Sequence, residues 1–267
     1  MEQRQNTQDG NQSSPNQTVF SLDGKLALIT GGGSGIGFDI ARCMVQAGAN
    51  VVITGRREQP LREAIETLGE RAHYMVNDVT ERALLNDLVE RIEATHGSID
   101  ILVNNAGVNM KKPALEVTDE DFDRIVYTNL NSVFSLTRAC AQRMMARSSG
   151  SIIMISSMAA YYGIDRVVAY AASKSAVEGM VKVLASEFSG NGVRVNAIAP
   201  GFIETAMSKT AMGGDPDRFA RAMRRTPMGK FGKPEDIGWA AVFLASEAAK
   251  YITGVSLPVD GGNSIGF

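Results

Sequence analysis

Tyr170 and Lys174 stand four residues apart in Tyr-Ala-Ala-Ser-Lys, a spacing that puts both on one face of a helix, one turn from each other. An ammonium so placed stabilises a phenolate, whose ordinary pKa is about 10, and makes a general base of the tyrosine. Far upstream, Thr30-Gly-Gly-Gly-Ser-Gly-Ile-Gly37 lies between an apolar run and a helical pattern. Glycines in that position let a pyrophosphate approach the backbone at a helix N-terminus. The spacing is G-x-x-x-G-x-G on Gly31, Gly35 and Gly37, a variant of the common fingerprint, because Ile36 occupies a position that a strict G-x-G-x-x-G reserves for glycine. Tight turns and S-adenosylmethionine sites also use glycines, but a cluster that follows a strand and opens a helix favours a dinucleotide. A base and a dinucleotide turn in one chain point to hydride transfer.

These groups need a scaffold. Short apolar runs alternate with helix-periodic segments, giving seven candidate strands: 26–30, 51–54, 72–76, 101–104, 152–156, 193–199 and 255–259. Helices are expected over 36–47, 60–68, 80–95, 118–146, 168–188 and 234–245. Nearly continuous apolarity in the first, fourth and fifth runs predicts strands buried on both faces, as in a parallel, doubly wound α/β sheet. Thr118-Asp-Glu-Asp121 is a capping-box start with Asp where Glu is usual. Residues 1–22 are rich in Gln, Asn and Ser and read as a disordered tail before a single domain over 23–267. Residues 203–233 hold Gly213-Gly-Asp-Pro216 and a basic helix-like piece around Arg218 to Arg225; they read as a substrate loop or lid.

The second strand ends Thr54-Gly-Arg-Arg57, without the carboxylate that grips both ribose hydroxyls in NAD enzymes. Arg56 suits a 2′-phosphate by charge and fork geometry, favouring NADP, while Glu58 keeps NAD open. Asn77-Asp78-Val79 and Asn104-Asn-Ala-Gly107 follow the third and fourth strands, at carboxyl ends where a flat cofactor sits. The two histidines, His73 and His96, are too few and too isolated for a zinc site, and no metal is expected. The chain has 267 residues, 44% hydrophobic and 21% charged, with net charge -2, which argues against the basic field of a nucleic-acid binder. No apolar run reaches transmembrane length and no signal peptide is read at the start, so the expected location is the cytoplasm. Cys43 and Cys140, each in a helical pattern, fit reduced thiols near a core.

With the glycine turn, Asn104-Asn-Ala-Gly107, Ser157 and Tyr170-x-x-x-Lys174 in this order, the chain resembles the short-chain dehydrogenase/reductase family from about Gly24 onward. Pro200-Gly-Phe-Ile-Glu-Thr205 and Val259-Asp-Gly-Gly262 are similar to that family's late segments. The resemblance implies a Rossmann-type sheet, an NADP or NAD cofactor, and homotetramers paired through the helices over 118–146 and 168–188. It assigns the catalytic serine to Ser157, thirteen positions before the tyrosine, and the fourth catalytic residue to Asn129, as anchor of a proton-relay water. Tyr170 exchanges a proton with the substrate oxygen, Ser157 hydrogen-bonds that oxygen, and Lys174 lowers the tyrosine pKa and holds the nicotinamide ribose. Cofactor contacts fall on Gly31, Ser34, Gly35, Ile36, Gly37, Arg56, Asp78, Val79, Asn105, Ala106, Gly107, Tyr170, Lys174, Pro200, Gly201, Ile203 and Thr205.

The substrate is expected to touch Asn109, Ser157, Met158, Tyr162 and Tyr170, which suit a small polar or acidic molecule. Val108-Asn-Met-Lys-Lys-Pro113 and the end Asn263-Ser-Ile-Gly-Phe267 resemble the gluconate 5-dehydrogenase branch, hence a sugar acid or polyol. The alternative is reduction of a 3-oxoacyl group on acyl-carrier protein, for which docking charge looks thin; Arg143, Arg147, Lys182 and Arg194 are the groups available. A non-catalytic dinucleotide sensor is the reading from a different class, and the intact catalytic set argues against it.

Overall fold

The computed structural model describes residues 19–206, 208 and 216–266. Seven strands, β1 (Leu26–Thr30), β2 (Asn50–Gly55), β3 (Ala72–Val76), β4 (Ile101–Asn104), β5 (Gly150–Ile155), β6 (Val193–Pro200) and β7 (Ser256–Val259), form one parallel sheet in the order β3-β2-β1-β4-β5-β6-β7. Helices α1 (Gly35–Gln46), α2 (Glu58–Leu68), α3 (Leu85–His96), α4 (Asp119–Val126), α5 (Ser132–Ala146), α6 (Val168–Phe188), α7 (Pro216–Arg225) and α8 (Pro234–Ala245) connect and cover it. This is the doubly wound, single-domain architecture that the alternation of runs predicts.

The strand period of two divides the apolar residues between the layers. Ala27 and Ile29 of β1 pack with Met44 of α1, Leu61 of α2 and Ala241 of α8. Leu26 and Leu28 pack instead with Leu88 of α3, Leu136 of α5 and Val181 of α6. Each fully buried Leu or Ile contributes about 1.5–3 kcal/mol relative to exposure, and β1 is buried at all five positions. Arg194 of β6 joins the edges of this core. Its guanidinium donates to the carbonyl oxygens of Leu244 at 2.6 Å and Ala245 at 3.2 Å, satisfying groups that the end of α8 leaves open. Both thiols, Cys43 in α1 and Cys140 in α5, are buried and unpaired with each other.

Several boundaries differ from the sequence reading. The helix expected from residue 80 begins at Leu85 after a short turn, because Asp78 Oδ1 accepts from both the backbone N–H and the hydroxyl of Thr80 and holds that residue in a side-chain turn. The helix expected over 118–146 is interrupted by one π turn at Tyr127–Asn131. There the Tyr127 carbonyl accepts from the Ser132 N–H and, at 3.0 Å, from the Ser132 hydroxyl. Thr118 Oγ1 does accept from Asp121 N–H at 3.2 Å, the forward half of the capping box. Residues 1–18 lie outside the described residues, but the tail boundary read at 22 falls within packed chain. Leu22 is buried and its N–H donates to Ala47 O at 2.8 Å, and Val19 O accepts from Ala248 N–H at 2.9 Å. Within the segment 203–233, Ile203 bridges to Gly232, and the basic piece forms α7; residues 207 and 209–215 lie outside the described residues.

Candidate active site

The strand order reverses between β1 and β4, so the connections leaving their carboxyl ends diverge and open a crevice. A cleft of about 620 Å³ occupies it, within the range of small-molecule sites. Gly31, Ser34, Gly35, Ile36 and Gly37 line one wall, and Asn105, Ala106 and Gly107 the facing one. The two turns are stitched together. Thr30 Oγ1 accepts from the N–H groups of Asn105 and Ala106 at 3.1 and 3.0 Å, and the Asn105 amide donates to Thr30 O at 2.9 Å.

Glycine is required at both ends of the turn. Gly31 has φ +68°, and a Cβ there would lie 3.0 Å from the Asn105 amide nitrogen. A Cβ on Gly37 would overlap the Gly31 carbonyl and the Asn105 amide. Ser34 caps α1 without a side-chain bond, and the first turn holds no acid, so its N–H groups and the positive end of the helix dipole are available to an anion. This cradle fits a dinucleotide pyrophosphate. Farther along, Arg56, Asp78 and Val79 line the cleft, and Arg56 is exposed. Glu58 is engaged elsewhere: it accepts from Arg62 at 2.8 Å and from the Tyr74 hydroxyl at 2.9 Å, with Arg62 the larger cause holding its carboxyl below the usual range. The carboxylate that kept NAD open is therefore committed to its own helix and to β3.

The π turn places Asn129, which is fully buried. Its Oδ1 accepts from Val108 N–H at 2.8 Å, and its Nδ2 donates to Val108 O at 2.8 Å and Ser173 Oγ at 3.3 Å. Ser157 caps a 3₁₀ turn after β5, its Oγ accepting from Ala159 N–H at 3.1 Å, and its hydroxyl also bonds the Tyr170 phenol. Tyr170 and Lys174 rise from α6 into the cleft. Burial pushes the phenol above its usual value, and the bond from Ser157 pulls it back down. Burial brings Lys174 down to about 8; its Nζ donates to Ile155 O at 2.7 Å and lies 5.6 Å from the Tyr170 ring centre. In this geometry the downward pull on the phenol comes from Ser157, while the ammonium lies over the ring face.

Thr205 also lines the cleft, whereas Pro200, Gly201 and Ile203 do not: Pro200 and Ile203 are buried, and Gly201 packs against the Asp260 backbone. Of the expected substrate residues, Asn109 is exposed, with its own Oδ1 accepting from Met110 N–H at 2.7 Å. Met158 is buried, and the Tyr162 hydroxyl donates to Asn263 Oδ1. None of the three lines the cleft. The sequence reading did not find Thr30 as the hinge of the two turns or Arg225 beside Tyr162; both connections link residues more than sixty positions apart. It also called the two histidines isolated, and the fold corrects this: their rings stack with centroids 4.3 Å apart because β3 runs beside the end of α3. Burial, then His73, lowers His96 below its usual pKa. The basic groups available for carrier docking are largely engaged inside the molecule. Arg143 and Arg147 both hold Glu93, at 3.0 and 3.5 Å, and Arg194 closes α8.

Comparison with known proteins agrees with this geometry. The family model described as enoyl-(acyl carrier protein) reductase matches residues 31–264. The chain is 40% identical to the 2-dehydro-3-deoxy-D-gluconate 5-dehydrogenase of Pseudoalteromonas atlantica, covering 91% of this chain and 97% of that one. It is 39% identical to a 3-oxoacyl-(acyl-carrier-protein) reductase of Thermotoga maritima, covering 90% and 98%. Among solved structures, the gluconate 5-dehydrogenase of Burkholderia cenocepacia in complex with NADP and tartrate superposes with TM-score 0.89 at 36% identity, covering 94% and 100%. Matched along nearly its whole described length in sequence and in fold, the chain belongs to the short-chain dehydrogenase/reductase family of oxidoreductases that act on CH–OH groups.

Proposed function

We propose that the protein interconverts a secondary alcohol and a ketone on a sugar acid, with NADP as cofactor. The observation that carries this is the grouping of Tyr170 and Lys174 at one cleft with the glycine cradle and Arg56, with Ser157 beside the Tyr170 phenol. When bound, NADP supplies the hydride acceptor or donor. The N-terminal N–H groups of α1 hold its pyrophosphate, and Arg56, which pairs with no acid among the described residues, takes the 2′-phosphate. Tyr170 removes the hydroxyl proton as negative charge gathers on the substrate oxygen, Ser157 donates a hydrogen bond to that oxygen, and Lys174 fixes the tyrosine and the ribose. Asn129 pins the backbone at Val108, just beyond the Asn105–Gly107 wall, and anchors the proton-relay water.

The sugar-acid choice is supported by the relatives named for gluconate-type substrates and by the hydroxy diacid tartrate in the Burkholderia complex. The second reading, 3-oxoacyl reduction, is favoured by the Thermotoga relative; the commitment of Arg143, Arg147 and Arg194 to internal partners weighs against it, leaving Lys182 as the exposed group of the four. Assembly as a cytoplasmic homotetramer belongs to the same proposal. It is supported by apolar side chains left exposed on the expected pairing helices, Phe134 and Val183 among them, and a monomer mass in light scattering would remove it. No helix among the described residues is long and apolar enough to cross a membrane. The test of the reaction is nicotinamide absorbance with NAD and NADP separately, across gluconate, other sugar acids, polyols and a 3-oxoacyl thioester, beside Tyr170→Phe. Gluconate oxidation with NADP that vanishes in the variant is the expected result; thioester reduction alone would replace the substrate reading, and an unaffected variant would remove the chemistry.

A further inference from the structure

Helix α7 ends at Arg225, whose guanidinium is fixed from two sides. Nε donates to the main-chain oxygen of Asn263 at 3.1 Å, and its central carbon lies 3.8 Å from the centre of the Tyr162 ring. Asn263 is itself fully buried: its Oδ1 takes the Tyr162 hydroxyl, and its amide donates to Thr226 Oγ1 at 3.0 Å. The backbone at Gly266 rests so closely on the Arg225 carbonyl that a Cβ there would overlap it. An arginine held this firmly, planar and stacked, is preorganised for a carboxylate. Yet Arg225 makes no ion pair among the described residues. The nearby Asp260 is turned to other work, its two oxygens accepting from Gly262 N–H at 2.9 Å and Ser264 N–H at 2.6 Å.

Neither Tyr162 nor Arg225 lines the dinucleotide cleft, so this charge lies outside it, on the side reached through the turn that follows Ser157. Tyr162 follows Ser157 by five residues across the 3₁₀ turn Met158–Ala160, with its N–H donating to Met158 O at 3.3 Å. At about 2 Å per residue the turn carries Tyr162 no more than about 10 Å from Ser157. A sugar acid whose reacting hydroxyl meets Ser157 and Tyr170 extends its other end in that range. Resting on the sugar-acid reading above, we infer that Arg225 recognises the substrate carboxylate, and that Tyr162 and Asn263 are positioning residues that hold its guanidinium for the task. The site would thus select hydroxy acids over uncharged polyols of the same length.

Arg225→Gln and Arg225→Lys test this with the full-length enzyme and NADP. The readouts are KM and kcat for gluconate, inhibition by tartrate, NADPH affinity by fluorescence, and the melting temperature. Loss of a charge-assisted hydrogen bond predicts that Arg225→Gln raises KM for gluconate and Ki for tartrate by about 10–100-fold. The same variant keeps kcat and NADPH affinity near wild type, and Arg225→Lys recovers part of the loss. An unchanged KM, a loss confined to kcat, or a parallel loss of NADPH affinity in both variants overturns the role of Arg225. Wild-type enzyme that oxidises uncharged polyols alone, or reduces thioesters alone, overturns the sugar-acid reading beneath it, and does so before any variant is made.

Discussion

Replacing Asn129 by alanine removes the amide that closes both hydrogen bonds of Val108 across the π turn. The side chain is fully buried, and its bonds to Val108 N–H and C=O are both 2.8 Å. Each backbone group left unpaired costs about 1–3 kcal/mol when water cannot replace the partner. Val108 is half-buried, so partial hydration brings the expected total to about 2–4 kcal/mol. For a domain of this size that lowers Tm by about 5–15 °C. Asn129→Asp sharpens the test: it keeps an acceptor for Val108 N–H but sets a carboxylate oxygen against Val108 O, so it is expected to be at least as damaging as alanine. Thermal unfolding of the three proteins, with hydrogen exchange at the Val108 amide, measures the effect. An Asn129→Ala protein that melts with wild type and protects Val108 equally would refute the claim that this amide pins the wall of the cleft.

Arg56→Ala is expected to raise KM for NADP by about 5–30-fold, the equivalent of about 1–2 kcal/mol for an exposed charge pair, and to leave KM for NAD unchanged; steady-state kinetics with both cofactors checks it. Because Tyr170 must be ionised to accept a proton and burial holds its phenol above the usual value, alcohol oxidation should rise with pH, while ketone reduction, which needs the protonated phenol, should fall at the alkaline end. Ser157→Ala removes the interaction that lowers the phenol pKa, so the oxidation limb should move to higher pH in a kcat/KM profile; a limb that stays in place would deny Ser157 that influence. Gly37→Ala forces a methyl against Gly31 and Asn105, and NADPH binding measured by fluorescence should fall by about 5–150-fold, the equivalent of one overpacked contact of about 1–3 kcal/mol.

The parts legible in the sequence are those written in local pattern. The β1 run Leu-Ala-Leu-Ile-Thr is apolar on both faces, so it reads as a covered parallel strand; the Tyr170 and Lys174 pair needs only the helix period to be brought together. The π turn was not legible, because Tyr-Thr-Asn-Leu-Asn is compatible with continuous helix, and its cause lies in Val108, twenty-one residues away. The partners of the charged groups were equally illegible, although the reading of thin docking charge agrees with them. Arg143, Arg147 and Arg194 look like surface groups by type, but Glu93 and the carbonyls at the end of α8 hold them, and nothing within a few residues of each arginine announces that partner. The Tyr162, Asn263 and Arg225 cluster joins three segments that meet only once the sheet is complete.

The two buried cysteines have a practical consequence for labelling chemistry. Burial pushes the Cys43 thiol up to about 11 and the Cys140 thiol to about 12, so neither supplies thiolate at neutral pH, and thiolate is the species that attacks maleimides and iodoacetamides. As these are the only cysteines in the chain, the native protein behaves as cysteine-free toward such reagents. A single cysteine introduced at exposed Met228, beside the Arg225 cluster, would carry a fluorophore without background and report movement of that segment as substrate arrives.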